Sequence, residues 1–290
     1  MTAADHYELA GLTRLKHPVE KAFDLALPWL LPVSERAQAA VGLRDRVVLD
    51  VGGWMPRRFT AQHLGARRWL SVSPDPADSR LTQSSRANRA DYDPAHILAP
   101  PLPDFDAVPH GALLAATLES LPASFDGRID VIFSINSFEH VLDFARFIRR
   151  CHDLLSPGGH VYAEFAPIWS GPDGHHNGAM TDPTGRLVRC PDWGHLLFRP
   201  PEIYAHFLRE TDADTAARLV QRIYHEPDIN RLLLEDYALY IRQTPFEVQR
   251  FAGTMERPVP APVQERLLAQ YPRARSFGFG GLEIVLRKAC

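Results

Sequence analysis

Four histidines, His140, His175, His176 and His195, lie in segments that also carry Glu139, Glu164, Asp173 and Asp192. An imidazole that titrates near neutrality can take a proton from an oxygen, nitrogen or acidic carbon nucleophile. Adjacent imidazoles point in different directions unless the backbone turns, so Gly174-His175-His176 could aim one ring at a substrate. His175 or His176 is thus a candidate for orienting or deprotonating an acceptor, with His140 a further candidate. His175, His176 and His195, with Glu164, Asp173 or Asp192 nearby, also suit a two-His, one-carboxylate metal site. Neither an H-x-x-x-H nor a C-x-x-C spacing is present to make that signal specific. Trp169, Trp193, Phe198, Tyr204 and Phe207 surround the histidines; they could enclose a planar acceptor or form a core of their own.

These side chains need a scaffold, and the apolar pattern supplies one. Val47–Val51 is a continuous apolar run ending in Asp-Val-Gly-Gly, the pattern of a buried parallel strand that turns towards a helix. Trp69–Ser73, Ala112–Ala116, Ile129–Ile135, His160–Phe165, Phe246–Phe251 and Leu282–Leu286 read as six more strands. Between Val141 and Leu155, apolar residues at 141, 144, 145, 148, 151 and 155 share one helical face, which places Cys151 in the core. Pro157-Gly158-Gly159 should stop that helix. Residues 1–45 read as a helical cap, with Leu9, Leu12, Leu15, Phe23, Leu27 and Leu30 as its apolar positions. Residues 46–290 form the main domain and include a loop and helical lid at about 167–243. Strands alternating with helices predict an α/β fold with a doubly wound, mostly parallel, seven-stranded sheet and a ligand at the carboxyl ends of its strands.

Val47–Trp54 (VVLDVGGW), Ser134–His140 (SINSFEH) and Leu154–Gly159 (LLSPGG) together resemble the class I S-adenosylmethionine (SAM)-dependent methyltransferases, over roughly residues 45–170. The resemblance implies a Rossmann-like sheet, a SAM cofactor and a methyl acceptor. It assigns Asp50, Val51, Gly52, Gly53 and Trp54 to the cofactor turn, and Ser73, with Asp75 two residues on, to the ribose. Thr117 and Leu118 fall at the adenine, and Asn136 and His140 beside the methionine portion. In that family the Glu-His pair often caps the following helix without catalysing. The sequence departs from the family's acidic-x-Gly-x-Gly-x-Gly motif, with Trp54 and Pro56 at the second and third Gly positions, and it has Ser73 where an acidic residue is usual. The G-x-G-x-x-G dinucleotide fingerprint is also absent, which disfavours a nicotinamide cofactor.

Composition excludes other classes. A net charge of −3 with dispersed Lys and Arg argues against a nucleic-acid partner. No apolar run reaches the roughly 18 residues of a membrane span. Three widely spaced cysteines suit a reducing cytoplasm, and the N-terminus shows no signal-peptide pattern. The leading expectation is a cytoplasmic enzyme of small-molecule metabolism that methylates a small-molecule acceptor under the lid, with a homodimer compatible with the N-terminal segment. A metal-dependent enzyme using the His175/His176/His195 cluster and a non-catalytic methyltransferase-like scaffold are the alternatives.

Overall fold

The computed structural model describes residues 6–9, 12–53, 55–74, 94–176, 180–182 and 184–290. In chain order the strands are β1 (His6–Leu9), β2 (Leu12–Leu15), β3 (Val47–Val51), β4 (Arg68–Ser73), β5 (Ile97–Leu98), β6 (Ala112–Ala115), β7 (Ile129–Ile135), β8 (Leu155–Phe165), β9 (Met180–Thr181), β10 (Leu187–Val188), β11 (Phe246–Glu256) and β12 (Phe279–Lys288). The α-helices are α1 (Pro18–Ala22), α2 (Leu30–Val41), α3 (Phe144–Leu154), α4 (Gly194–Leu197), α5 (Pro200–Phe207), α6 (Ala213–Tyr224), α7 (Leu234–Arg242) and α8 (Ala261–Gln270).

The main sheet has the order β11-β12-β8-β7-β3-β4-β6-β5. Every pairing from β8 to β5 is parallel, and β12 runs antiparallel to both β8 and β11. All seven strands read from the sequence are present, and the two-residue β5 adds an eighth at the edge. The order reverses at β3, and a doubly wound sheet binds its ligand at such a switch point.

All five residues of β3 are buried because both faces of the sheet are covered. Val47, Leu49 and Val51 face a core shared with Phe144, Phe147, Ile148, Cys151 and Leu154 of α3 and with Tyr237 and Ile241 of α7. Val48, with Val131 and Phe133 of β7, faces Leu30, Leu31, Ala37 and Val41 of α2. The two-residue period of the strand sets this division. Asp143 caps α3 by accepting a hydrogen bond from the Arg146 amide at 3.0 Å. Cys151 is core, as expected, and burial holds its thiol well above the usual range.

Two local expectations change. Residues 6–9 and 12–15 form an antiparallel hairpin rather than a helix. The three-residue leucine spacing suits a helix, but Tyr7 and Thr13 favour extended backbone, and so short a segment is decided by pairing. α2 then packs on the sheet face against β7 and β8, and its Arg36 reaches Glu164 near the end of β8. At the end of α3, Leu155 already pairs with Ile129, and the next β7–β8 match is Val131 with His160. Ser156–Gly159 are therefore a bulge within β8, and Gly158 adopts φ +76° there.

The segment between β8 and β11 carries the β9–β10 hairpin and α4 to α7. It buries cores of its own: Val188, Ile203, Phe207 and Leu219 form one, and Trp193 and Leu196 meet Leu267 and Phe277 in another. The aromatic residues Trp169, Trp193, Phe198, Tyr204 and Phe207 belong to these two cores. Trp193 also donates its indole N–H to the Phe277 carbonyl at 2.9 Å. Among the described residues, no helix is long and apolar enough to cross a membrane.

Candidate active site

The carboxyl ends of β3, β4, β6 and β7 open into a cleft of about 710 Å³, a size typical of small-molecule sites. Val51 and Gly52 form its floor, Ser73 and Pro74 one flank, and Thr117–Ser120 the far wall. Ser137 and the segment from His140 to Asp143 form the opposite wall, and Pro227 and Asp228 bring the inserted segment to its edge. Of the expected cofactor residues, Val51, Gly52, Ser73, Thr117, Leu118 and His140 line this one space. Residues that are up to 89 positions apart in the sequence meet there because parallel strands deliver their C-terminal ends to a common edge. Gly52 (φ +106°) and Gly53 (φ +71°) hold the turn after β3 in a conformation that side chains disfavour.

Three of the other expected contacts are elsewhere. Asp50 is completely buried, and its Oδ2 accepts from Trp69 Nε1 at 3.4 Å and Ser71 Oγ at 3.3 Å. Burial pushes its carboxyl up to about 7, against the pull of Trp69, the Met55 amide, Ser71 and the Gly53 amide. Its role is to anchor the turn from beneath. Gly53 is buried below the cleft surface. Asn136, at φ +48°, turns its Oδ1 to accept from the Ala166 amide at 3.2 Å and so joins the ends of β7 and β8. Trp54 and Asp75 lie outside the described residues.

The histidines separate into two pairs. His140 lines the cleft, and its ring stands 5.3 Å from that of His176, nearly edge-on. His175 and His195 form the other pair, 5.4 Å apart and buried beside Trp169. Burial, followed by the nearby His175, pushes His195 down to about 3, and its Nε2 faces the Trp169 carbonyl at 2.7 Å. A ring so placed is neutral at physiological pH. The expected His175/His176/His195 set is therefore divided. Among the described residues, the group that does converge is Glu139, His140 and His176, each offering a ligand atom within 4.8 Å of the others. The carboxylates weighed beside the other histidines have cationic partners: Arg257 reaches Asp173 and Asp192, and Arg36 of α2 forks onto Glu164.

The string Asp228-Ile229-Asn230-Arg231 reads either as a polar pair over the pocket or as a tie between lid and body, and Asp228, with Pro227, lines the cleft. The Asp228 carbonyl meets His140 Nδ1. Asn230 then ties the segment down: its amide donates to the Glu139 carbonyl and its Nδ2 to the Phe138 carbonyl, both at 2.9 Å. Its Oδ1 accepts from the Leu232 amide at 3.1 Å and the buried Tyr237 hydroxyl at 2.9 Å. The sequence signal was a short polar Asp-x-Asn-Arg string, which does not reveal its partners. Asn230→Ala strands these buried groups and is expected to lower unfolding free energy by about 3 kcal/mol, from roughly 1 kcal/mol or more per lost bond. Denaturant titration would check this; a loss below about 1 kcal/mol would show that the tie is dispensable.

The Methyltransferase domain family matches residues 60–163. A ubiquinone biosynthesis O-methyltransferase of Pseudomonas paraeruginosa is 28% identical over 175 residues, covering 56% of this chain and 63% of that protein. The chain thus matches less than two thirds of that relative's length. An uncharacterized methyltransferase of Mycobacterium sp. is 31% identical over 139 residues, 47% of this chain and 44% of its own. Among solved structures, an S-adenosylmethionine dependent methyltransferase from Mesorhizobium loti aligns with TM-score 0.47 and 19% identity, over 89% of this chain and 96% of that one. The reversal of strand order at β3, the single antiparallel strand β12 and the match over 60–163 together establish that the chain has the class I SAM-dependent methyltransferase fold.

Proposed function

We propose that the chain transfers the methyl group of SAM to an oxygen of a small-molecule acceptor. The cleft carries this reading: its volume and its position at the switch point suit a nucleoside-sized ligand, and the Gly52–Gly53 turn lets the backbone approach it closely. Gly52 would face the methionine portion, Ser73 the ribose, and Thr117 and Leu118 the adenine. SAM, when bound, supplies a methyl group on a good leaving sulfur. What the protein must add is alignment of the acceptor with that methyl, and this can supply much of the acceleration.

The choice of oxygen draws on the O-methyltransferase relative and on the polar group beside the cleft. Glu139, His140 and His176 stand where an acceptor hydroxyl could be oriented and relieved of its proton. His175, buried against His195, supports the fold of the loop in this reading, and the 167–243 segment covers the acceptor. α2 supplies a layer of the fold.

Calorimetric titration with SAM and with S-adenosylhomocysteine tests the proposal. Saturable one-to-one binding of both is the expected result. A folded protein that binds neither would overturn the reading in favour of a scaffold.

A further inference from the structure

We propose that Glu139, His140 and His176 form a binding site for a divalent first-row transition metal at the acceptor side of the cleft. Nothing in the comparisons assigns it. One ligand atom from each residue lies within 4.8 Å of the others, and His140 Nε2 is 3.8 Å from Glu139 Oε1.

The placement of the rings carries the inference. His140 Nδ1 faces the Asp228 carbonyl, and His176 Nδ1 faces the Gly174 carbonyl at 3.2 Å. A carbonyl can only accept, so each neutral ring carries its proton on Nδ1 and keeps its lone pair on Nε2. Holding a ligating imidazole through its other nitrogen is how proteins orient metal-binding histidines. Two such lone pairs and a buried carboxylate in one small volume favour a cation. Two nitrogens and one oxygen suit zinc, manganese or iron better than magnesium or calcium.

The backbone supports the same conclusion. His176 is held at φ +54°, a region non-glycine residues seldom occupy, and such outliers cluster at functional sites. That turn brings its ring against His140 and leaves His175 with His195. Glu139 is fixed at its main chain by the Asn230 amide. Three protein ligands leave coordination positions open, and because His140 lines the cleft, an acceptor oxygen could take one. Bound there, a hydroxyl would become more acidic and could lose its proton to solvent before methyl transfer. This last role rests on the methyl-transfer reading; the metal site does not.

The test uses full-length protein freed of metal by chelation and titrated with Zn²⁺, Mn²⁺ and Co²⁺ by calorimetry. Co²⁺ binding is also followed by its visible ligand-field bands. The expected result is one site per chain, with a Co²⁺ spectrum of a four- or five-coordinate nitrogen and oxygen set. His176→Ala and Glu139→Gln should each weaken binding by at least about 100-fold, a loss of two powers of ten. SAM affinity is measured on the same samples, so that the two sites are read separately. The wild-type titration needs no variant to fold: absence of saturable binding to folded protein would overturn the site. Binding that survives both substitutions in folded variants would also overturn it, by placing the metal elsewhere. Failure of SAM to bind while metal binds would instead sink the methyl-transfer reading and leave the metal site standing.

Discussion

Gly52→Ala is expected to reduce SAM affinity on the order of 100-fold, about 2.8 kcal/mol of binding free energy. Gly52 lines the cleft at φ +106°, outside the conformations open to an L-residue, and its amide donates to the Val72 carbonyl at 3.0 Å. An added Cβ forces the turn to a new backbone conformation, which displaces the floor on which the ligand must lie. A control separates this from general strain. Gly127 also has a positive φ, +67°, with open space around it, and its amide bonds to the Asp153 carbonyl near the start of β7. Gly127→Ala should cost about 1–2 kcal/mol of stability and leave SAM affinity unchanged. Equal affinities in the two variants, measured calorimetrically, would show that the turn is not part of the cofactor site.

Asp50→Asn should remove a large pH dependence of stability. The carboxyl titrates at about 7 in the folded protein against an ordinary value of 3.8, because the site is fully buried. Between these values the unfolded chain has released the proton and the folded one retains it. Unfolding free energy therefore falls as pH rises from about 4 to about 7 and is flat above. A shift of about three units corresponds to roughly 4 kcal/mol. Asparagine keeps an oxygen to accept from Trp69 and Ser71 and has no charge to bury. In urea titrations from pH 4 to pH 8, the variant should lose that slope, while its Nδ2, which cannot accept from the Met55 and Gly53 amides, holds it below the parent's stability at pH 4. Parallel pH profiles would mean that Asp50 ionises freely in the folded state.

The scaffold was legible because parallel strands covered on both faces must be apolar throughout, and Val47–Val51 and Ile129–Ile135 have this character. α3 was legible from its one-sided apolar face and its Pro-Gly-Gly ending, although the glycines proved to shape a strand bulge. The cofactor wall was read largely by resemblance, and the structure brings Val51, Gly52, Ser73, Thr117, Leu118 and His140 to one cleft. Asp50 differed for a local reason: the two-residue period puts it on the face of Val48, beneath α2 and beside Trp69, not in the cleft. The histidine pairing was not legible. It depends on the backbone sign at His176 and on a carbonyl 88 residues from His140, and spacing in a loop carries neither. The pairing of β1 with β2 escaped because four-residue strands are fixed by their partners rather than by periodicity.

The tie made by Asp228 and Asn230 has a consequence for traffic through the molecule. The inserted segment is fastened to the same Phe138–His140 turn that forms one wall of the cleft, through three main-chain carbonyls and the His140 ring. Swinging that segment aside would dismantle the wall at each turnover. A passage beside Leu142, a cleft-lining leucine left 57% exposed, would be cheaper. Spent donor would leave there without moving the roof, and a substitution at this doorway would change the rate of product departure while the interior kept its shape.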